Sequence, residues 1–279
     1  MKKIAIINQK GGVGKTSTAV NLSAALAALG CRVCLADMDP QAHATLHVGV
    51  SPGRDDVSVY DVLTGPTSIA EVRKQVRENL WLIGSHINLA AAEVELAGEV
   101  GRELILRDKL AEDKEPFDYF IIDCPPSLGV LTLNALTTVD EVFIPLQPHF
   151  LALHGLSKLL ETIGLVARRL NSRLKLSGVL LCLYESGTKL AAEIGDDVAT
   201  FMKQQSRHAH TPWANAHLFQ THIRRNIRLA EAPSFGQTIF EYAPSSNGSE
   251  DYMALAEEML TVLAGETLVS SAPPAAAVR

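Results

Sequence analysis

The sequence predicts an α/β fold: a single domain built on a mostly parallel, twisted sheet with helices on both faces. Three observations lead there. Short apolar runs rich in Ile, Leu and Val recur along the chain and alternate with stretches of helical periodicity. Two of these runs end in aspartate, at Asp37 and Asp123, as buried parallel strands do when they deliver a carboxylate to one edge of a sheet. At 279 residues, 47% hydrophobic and 20% charged, the chain can bury one large core and does not require a second domain.

The first run, residues 4–7, reads as a strand, and residues 19–29 read as a helix. Between them lies Asn8-Gln-Lys-Gly-Gly-Val-Gly-Lys-Thr-Ser-Thr18. Gly11, Gly12 and Gly14 carry no Cβ to block close backbone approach, so the amides of this loop, through Val13 and on to Ser17, can turn inward around a polyphosphate. Lys15 adds a point charge at the β/γ-phosphates and Thr16 a hydroxyl suited to Mg²⁺. Strand, glycine loop and helix N-terminus occur in the order that phosphate binding needs, which sets aside the blander reading of a glycine-rich turn. The general pattern G-x-x-x-x-G-K-[ST] would place a glycine at position 9. This chain has Gln9 there and a second lysine, Lys10, five residues before Lys15.

Gly30 ends the helix and residues 32–37 form the next strand, which brings Asp37 and Asp39 to the edge beside the loop. Cys31 and Cys34 have C-x-x-C spacing, but three residues apart on a strand they face opposite ways and cannot share one ion. His43 and His47 have the i,i+4 spacing of a helical zinc pair; His43 is expected to be a loop residue and not a ligand. A polar loop at 51–56 precedes helical patterns at 59–63 and 69–76, a strand at 80–84, and further helical patterns at 90–99 and 102–110. The apolar run 119–123 ends in Asp123, followed by Cys124-Pro125-Pro126-Ser127-Leu128-Gly129, stiff at the prolines and hinged at the glycine. A strand at 141–145, a long amphipathic helix at 151–170 and a strand at 176–183 continue the alternation. A final helix runs to about residue 263, so residues 1–264 form the domain and 265–279 a flexible Pro/Ala-rich tail.

The net charge of −6 argues against nucleic acid, but its distribution is uneven. Residues 165–230 hold ten Arg/Lys against four acids, a net +6, while the remainder of the chain is −12. That is the balance of an acidic protein with one basic face, provided the cations cluster in space. No apolar run approaches the roughly 20 residues a membrane helix needs, and the chain enters its first strand without a signal-like segment, so a cytoplasmic protein is expected.

The loop Lys10-Gly-Gly-Val-Gly-Lys15-Thr16 resembles the deviant Walker A loop of the ParA/MinD family of P-loop ATPases. Three further stretches carry the resemblance: Asp37-Met-Asp-Pro-Gln-Ala-His-Ala-Thr45 is similar to D-x-D-P-Q-G-N-A-T, Asp123-Cys-Pro-Pro-Ser-Leu-Gly129 to D-x-P-P-S-L-G, and Ile223-Arg-Arg-Asn-Ile-Arg-Leu-Ala-Glu-Ala-Pro-Ser-Phe-Gly236 to I-P-R-N-V-R-L-x-E-A-P-S-F-G. The resemblance reaches to about residue 264. It implies the P-loop NTPase fold, ATP and Mg²⁺ as ligands, and an ATP-sandwiched homodimer.

By the same resemblance, Lys15 and the loop amides hold the phosphates, Thr16, Asp37 and Asp123 serve the metal, Asp39 orients or accepts a proton from the attacking water, and Asn226 lies with the nucleotide. Lys10 is the early lysine that in this family crosses to the partner's ATP. A ParA (Soj-like) partition role is implied, with non-specific nucleoid DNA as track and a ParB-like protein as the stimulator of hydrolysis. Lys189, Lys203, Arg207, Arg224, Arg225 and Arg228 are the expected DNA contacts. Arg224 stands where proline is usual, near the adenine in relatives, and Gly187 replaces an arginine that holds DNA in chromosomal members. The acidic last helix, with Glu250, Asp251, Glu257 and Glu258, disfavours the membrane targeting of MinD-like branches. Three alternatives remain open: an orphan relative that positions a protein cargo, a P-loop metabolic ligase such as a dethiobiotin synthetase-like enzyme, and a nucleotide-gated DNA-binding module without turnover.

Overall fold

A computed structural model of the chain describes residues 1–53, 56–205 and 210–270, the side chains of 263–270 apart. Arg207, one of the expected DNA contacts, lies outside the described residues. A nine-stranded sheet forms the centre, and its strands alternate with helices as the sequence implies. The chain runs β1 (Lys2–Ile6), α1 (Lys15–Ala28), β2 (Val33–Asp37), α2 (His43–His47), α3 (Val59–Thr64), α4 (Ile69–Val72), β3 (Arg73–Arg77), β4 (Leu80–Ile83), α5 (Leu89–Glu95) and α6 (Ile105–Glu112). It continues through β5 (Tyr119–Asp123), α7 (Val130–Thr138), β6 (Glu141–Leu146), α8 (Ala152–Arg169), β7 (Lys175–Tyr184), α9 (Lys189–Gln205), β8 (His217–Leu218), β9 (Ile223–Arg224), α10 (Ile227–Glu231), α11 (Ile239–Tyr242) and α12 (Asn247–Ser270). The last helix thus passes residue 264.

The strand order is β3-β4-β2-β5-β1-β6-β7-β8, with β9 also on β7. Every pairing is parallel except β3 with β4. Parallel pairing with helical crossovers buries both faces, and β2, β5 and β6 are buried at every position. Alternation along β1 sends Ile4 and Ile6 into the core under α1 and α12, and Ala5 with Ile7 into the core under α7 and α8. Cys34 joins the second of these cores and Cys31 packs against the first, so the two thiols stand on opposite faces; all four cysteines are free.

One element differs from expectation. The helical pattern at 69–76 is a helix only to Val72, where the Ser68–Glu71 capping box has already spent its single turn. Arg73–Arg77 then forms an edge strand antiparallel to β4, joined to it by the two-residue turn Glu78-Asn79, with Asn79 at φ 56°. Its Arg-Lys-Gln-Val-Arg sequence gives no strand periodicity because no position on either face is fully buried, and its charges protect the edge from pairing with another chain.

Candidate functional site

All the strands that carry motif residues end at one edge, and their register brings the motifs together. Asp37 and Asp123 are direct cross-strand partners on β2 and β5, and Ile6 on β1 pairs with Asp123 on its other side. Chain segments more than eighty residues apart therefore meet where the glycine loop leaves β1. Asn8 pins the start of that loop: its side-chain amide donates to the Pro145 carbonyl at 2.7 Å and its oxygen accepts from the Lys10 amide at 3.0 Å.

The loop climbs to Gly14, the residue before α1, at φ 95° and ψ 20°, a conformation natural to glycine. No side chain caps the first turn of α1, so its amides face the loop's concavity. Behind Gly14 lies Cys182 on β7. The Thr18 hydroxyl, one turn into α1, is 3.8 Å from the Cys182 thiol and 3.3 Å from the Tyr252 hydroxyl on α12. The loop thus rests on a fully packed floor.

Lys15 is buried, and its Nζ donates to the Lys10 carbonyl at 3.1 Å. Burial pushes its ammonium below the usual lysine range, opposed by the charges of Asp123 and Asp39. Lys10 differs: it is exposed, and its Nζ reaches Gln147 Oε1 at 3.4 Å on the loop after β6.

The acids form a graded set. Asp37 is completely buried and accepts three hydrogen bonds: from the Thr45 amide at 2.8 Å, the Thr45 hydroxyl at 2.7 Å and the Asp39 amide at 3.1 Å. Even so, burial pushes its carboxyl up to about 6. Asp123 is equally buried, and neither of its oxygens has a partner in hydrogen-bonding geometry. Burial and then the charge of Asp37 push it well above the carboxylate range, with the nearby Thr16 hydroxyl and, more weakly, Lys15 pulling the other way. Asp39 is buried at the rim, where its side chain turns the chain by accepting from the Gln41 amide at 2.9 Å.

An orphaned buried carboxylate beside a second one and a threonine hydroxyl is a set of hard oxygen donors suited to a cation. Among the described residues no cluster of three His, Cys, Asp or Glu could cage a metal by itself. The set fits Mg²⁺, which binds through one or two protein oxygens and completes its shell with phosphate and water. His43 and His47 take no part: His43 is exposed, while His47 is buried beside Arg77 and held neutral, its pKa pushed down to about 4 by burial.

Two residues of this site carried no assignment from the sequence. Thr45 orients Asp37, and its hydroxyl also accepts from the Ser85 amide at 2.9 Å, while the Ser85 hydroxyl donates to the Asp39 carbonyl at 2.7 Å. Thr45 sits inside the Asp37–Thr45 motif, which was the available signal; Ser85, after β4, gave none.

The expected DNA residues fall into a different pattern. Arg224 is clamped by Asp251 in a bidentate pair, Nη2 donating to Oδ1 at 2.6 Å and Nε to Oδ2 at 3.1 Å, and reaches Glu250 at 3.1 Å; Arg225 pairs with Glu185 at 2.8 Å and Arg228 with Glu231 at 2.9 Å. Asn226 caps α10, its side chain accepting from the Arg228 amide. Register pairs Ile223 with Cys182, which places this segment on the Gly14 side of the loop. Lys189 opens α9 and Lys203 lies in its last turn. Gly187 has φ 87°, so any side chain in its place would be strained on this backbone.

A glycine loop, a pair of lysines five residues apart and two converging carboxylates on a parallel sheet define a P-loop nucleotide-binding protein. A family model described as an AAA domain matches residues 1–176. The chain is 44% identical over 259 residues to the sporulation initiation inhibitor protein Soj of Bacillus subtilis, covering 92% of this chain and 98% of that one. It is 42% identical to the chromosome partitioning protein ParA of Myxococcus xanthus, covering 92% and 87%. Among solved structures, a Mycobacterium smegmatis protein named cobyrinic acid a,c-diamide synthase, with bound ATP analogue and magnesium, superimposes with a TM-score of 0.79 at 35% identity, covering 95% and 97%. The cell division ATPase MinD of Pyrococcus furiosus shares the fold, with a TM-score of 0.73 at 24% identity over 94% and 99% of the chains. The chain belongs to the ParA/Soj family of chromosome-partitioning ATPases.

Proposed function

We propose that this protein is a Mg²⁺-dependent ATPase of DNA segregation whose ATP-bound form is a homodimer. The observation that carries this reading is the pairing of an orphaned buried carboxylate, Asp123, with an exposed Lys10 on the same loop that buries Lys15. Lys15 and the amides from Gly11 to Thr16, with Ser17, would hold the phosphates, and Thr16, Asp37 and Asp123 would hold the metal. Mg²⁺ would supply neutralisation of the phosphate charge. Asp39, at the rim, orients the attacking water. Lys10 has no phosphate of its own to serve and reaches outward, where a second copy's nucleotide would find it, in the manner of an arginine finger.

The ATP dimer then holds duplex DNA without sequence preference, and a ParB-like partner releases it by stimulating hydrolysis. With DNA as its track, the protein is nucleoid-associated. Lys10→Ala is expected to leave nucleotide binding intact while ATP turnover falls about 100-fold or more and ATP-dependent dimers vanish from sedimentation profiles. Unchanged turnover would refute the role of Lys10. A second reading, an ATP-dependent amide-forming ligase, is favoured by the likeness to the M. smegmatis protein. ATP turnover without any organic acid or amide donor, stimulated by DNA and a ParB-like protein, separates the two.

A further inference from the structure

The nine described cations of residues 165–230 do not form one face. β7 is ten residues long, which at about 3.3 Å per residue separates its ends by about 30 Å. Arg224 pairs with Tyr184 at the nucleotide end, whereas Lys175 begins the strand at the other. At that far end a second basic group gathers from three elements. Arg168 and Arg169 end α8; Arg173 lies in the turn; Lys175 opens β7; and Lys3 of β1 meets Arg173 across Asp140, at 3.2 Å and 3.3 Å. Arg168, Arg173, Lys175 and His210 line an open cavity of about 380 Å³, walled by Pro212, whose carbonyl accepts from the Leu176 amide. The 210–216 segment, including Trp213 packed against Gly164, builds this wall and had no role in the nucleotide site.

The charge balance of the two groups differs. At the nucleotide end, Arg224, Arg225 and Arg228 are each matched by a carboxylate. At the far end, Asp140 is shared between Lys3 and Arg173, and Glu141 faces Lys175. Among the described residues neither Arg168 nor Arg169 pairs with a carboxylate, and both are exposed. Five cations against two acids leave an excess positive charge in a chain of net −6.

We infer that the amino-terminal edge of the sheet, around Arg168, Arg169, Arg173 and Lys175, is a contact surface for the phosphates of duplex DNA, remote from the nucleotide. The inference rests on the DNA-segregation reading and assigns it a surface. Phosphate contacts of this kind are electrostatic and indifferent to sequence. Because the two nucleotide edges face each other in the dimer, the two amino-terminal edges point outward, one at each end.

The test measures binding of the full chain to a fluorescent duplex of arbitrary sequence, with ATP, across a salt series. Arg168→Gln/Arg169→Gln is expected to lower the magnitude of the log K against log salt slope by about 2, and affinity at about 0.1 M salt by about 60-fold relative to binding extrapolated to 1 M. DNA-independent ATP turnover stays unchanged, and Arg168→Lys/Arg169→Lys retains the slope. An unaltered slope in the Gln pair overturns the proposal even if Arg225→Ala weakens binding. Loss of polyglutamate binding with duplex binding kept would make the surface a dock for an acidic protein and overturn it too. Failure of the unaltered chain to bind DNA with ATP would overturn the segregation reading, and this inference with it, before any substitution is made.

Discussion

Replacing Asp123 by asparagine should stabilise the ligand-free protein, and do so in proportion to pH. Asp37 sets the scale. With three hydrogen bonds it still rises from the ordinary 3.8 to about 6, a shift worth about 3 kcal/mol. Asp123, at the same depth and with no hydrogen bond in good geometry, is pushed the same way, by burial and then by the charge of Asp37. An acid whose folded pKa is raised contributes its full stability below the unfolded pKa and loses it as pH climbs through the folded value. The stability difference between Asp123→Asn and the unaltered chain should therefore shift in favour of Asn as pH rises above the ordinary carboxylate range, where the unfolded chain's Asp123 ionises and the folded one's resists. Any constant term from the buried amide cancels in that comparison. Urea unfolding with chelator and without nucleotide measures it. A difference independent of pH, or one that moves toward Asp at high pH, would refute the reasoning. Added Mg²⁺ and nucleotide should reverse the order, since the carboxylate is kept for the ligand at the expense of the empty fold.

Thr45→Val removes a charge-assisted donor to Asp37 and orphans the Ser85 amide, so a loss of about 2–4 kcal/mol in urea unfolding is expected, with Thr45→Ser close to unaltered. Ala42, just before α2, is held at φ 53°; Ala42→Gly relieves roughly 1–2 kcal/mol of strain against roughly 0.4–1 kcal/mol of added unfolded-state entropy, and should raise the urea midpoint slightly. Gly49→Ala should cost about 2–4 kcal/mol by the same measurement, because φ is 83° and a Cβ would lie 2.8 Å from the Gly236 carbonyl oxygen.

The parallel core and the phosphate site were legible because each is written locally. An apolar run that ends in aspartate states its burial and its edge together, as at Asp37 and Asp123, and glycine spacing states the loop. What escaped was relational. β3 is polar and becomes a strand only by pairing with β4. Thr45 and Ser85 matter because the fold brings residues forty apart into one hydrogen-bond chain. Arg224, Arg225 and Arg228 read as free charges in sequence, yet each meets a carboxylate, Arg224 from a helix more than twenty residues on. The basic segment 165–230 looked like one patch because sequence distance cannot report that β7 carries its two ends apart.

The sheet order also sets a timetable for synthesis. β1 is made before its partners and is one of the most central strands, yet its neighbours β5 and β6 arrive more than a hundred residues later. At about 5–20 residues per second, a ribosome takes roughly 5–25 s to supply the first of them. Through that interval Ile4-Ala-Ile-Ile7 is an unpaired apolar strand, and the two lysines that open it, Lys2 and Lys3, are the charges that keep it from finding the wrong partner.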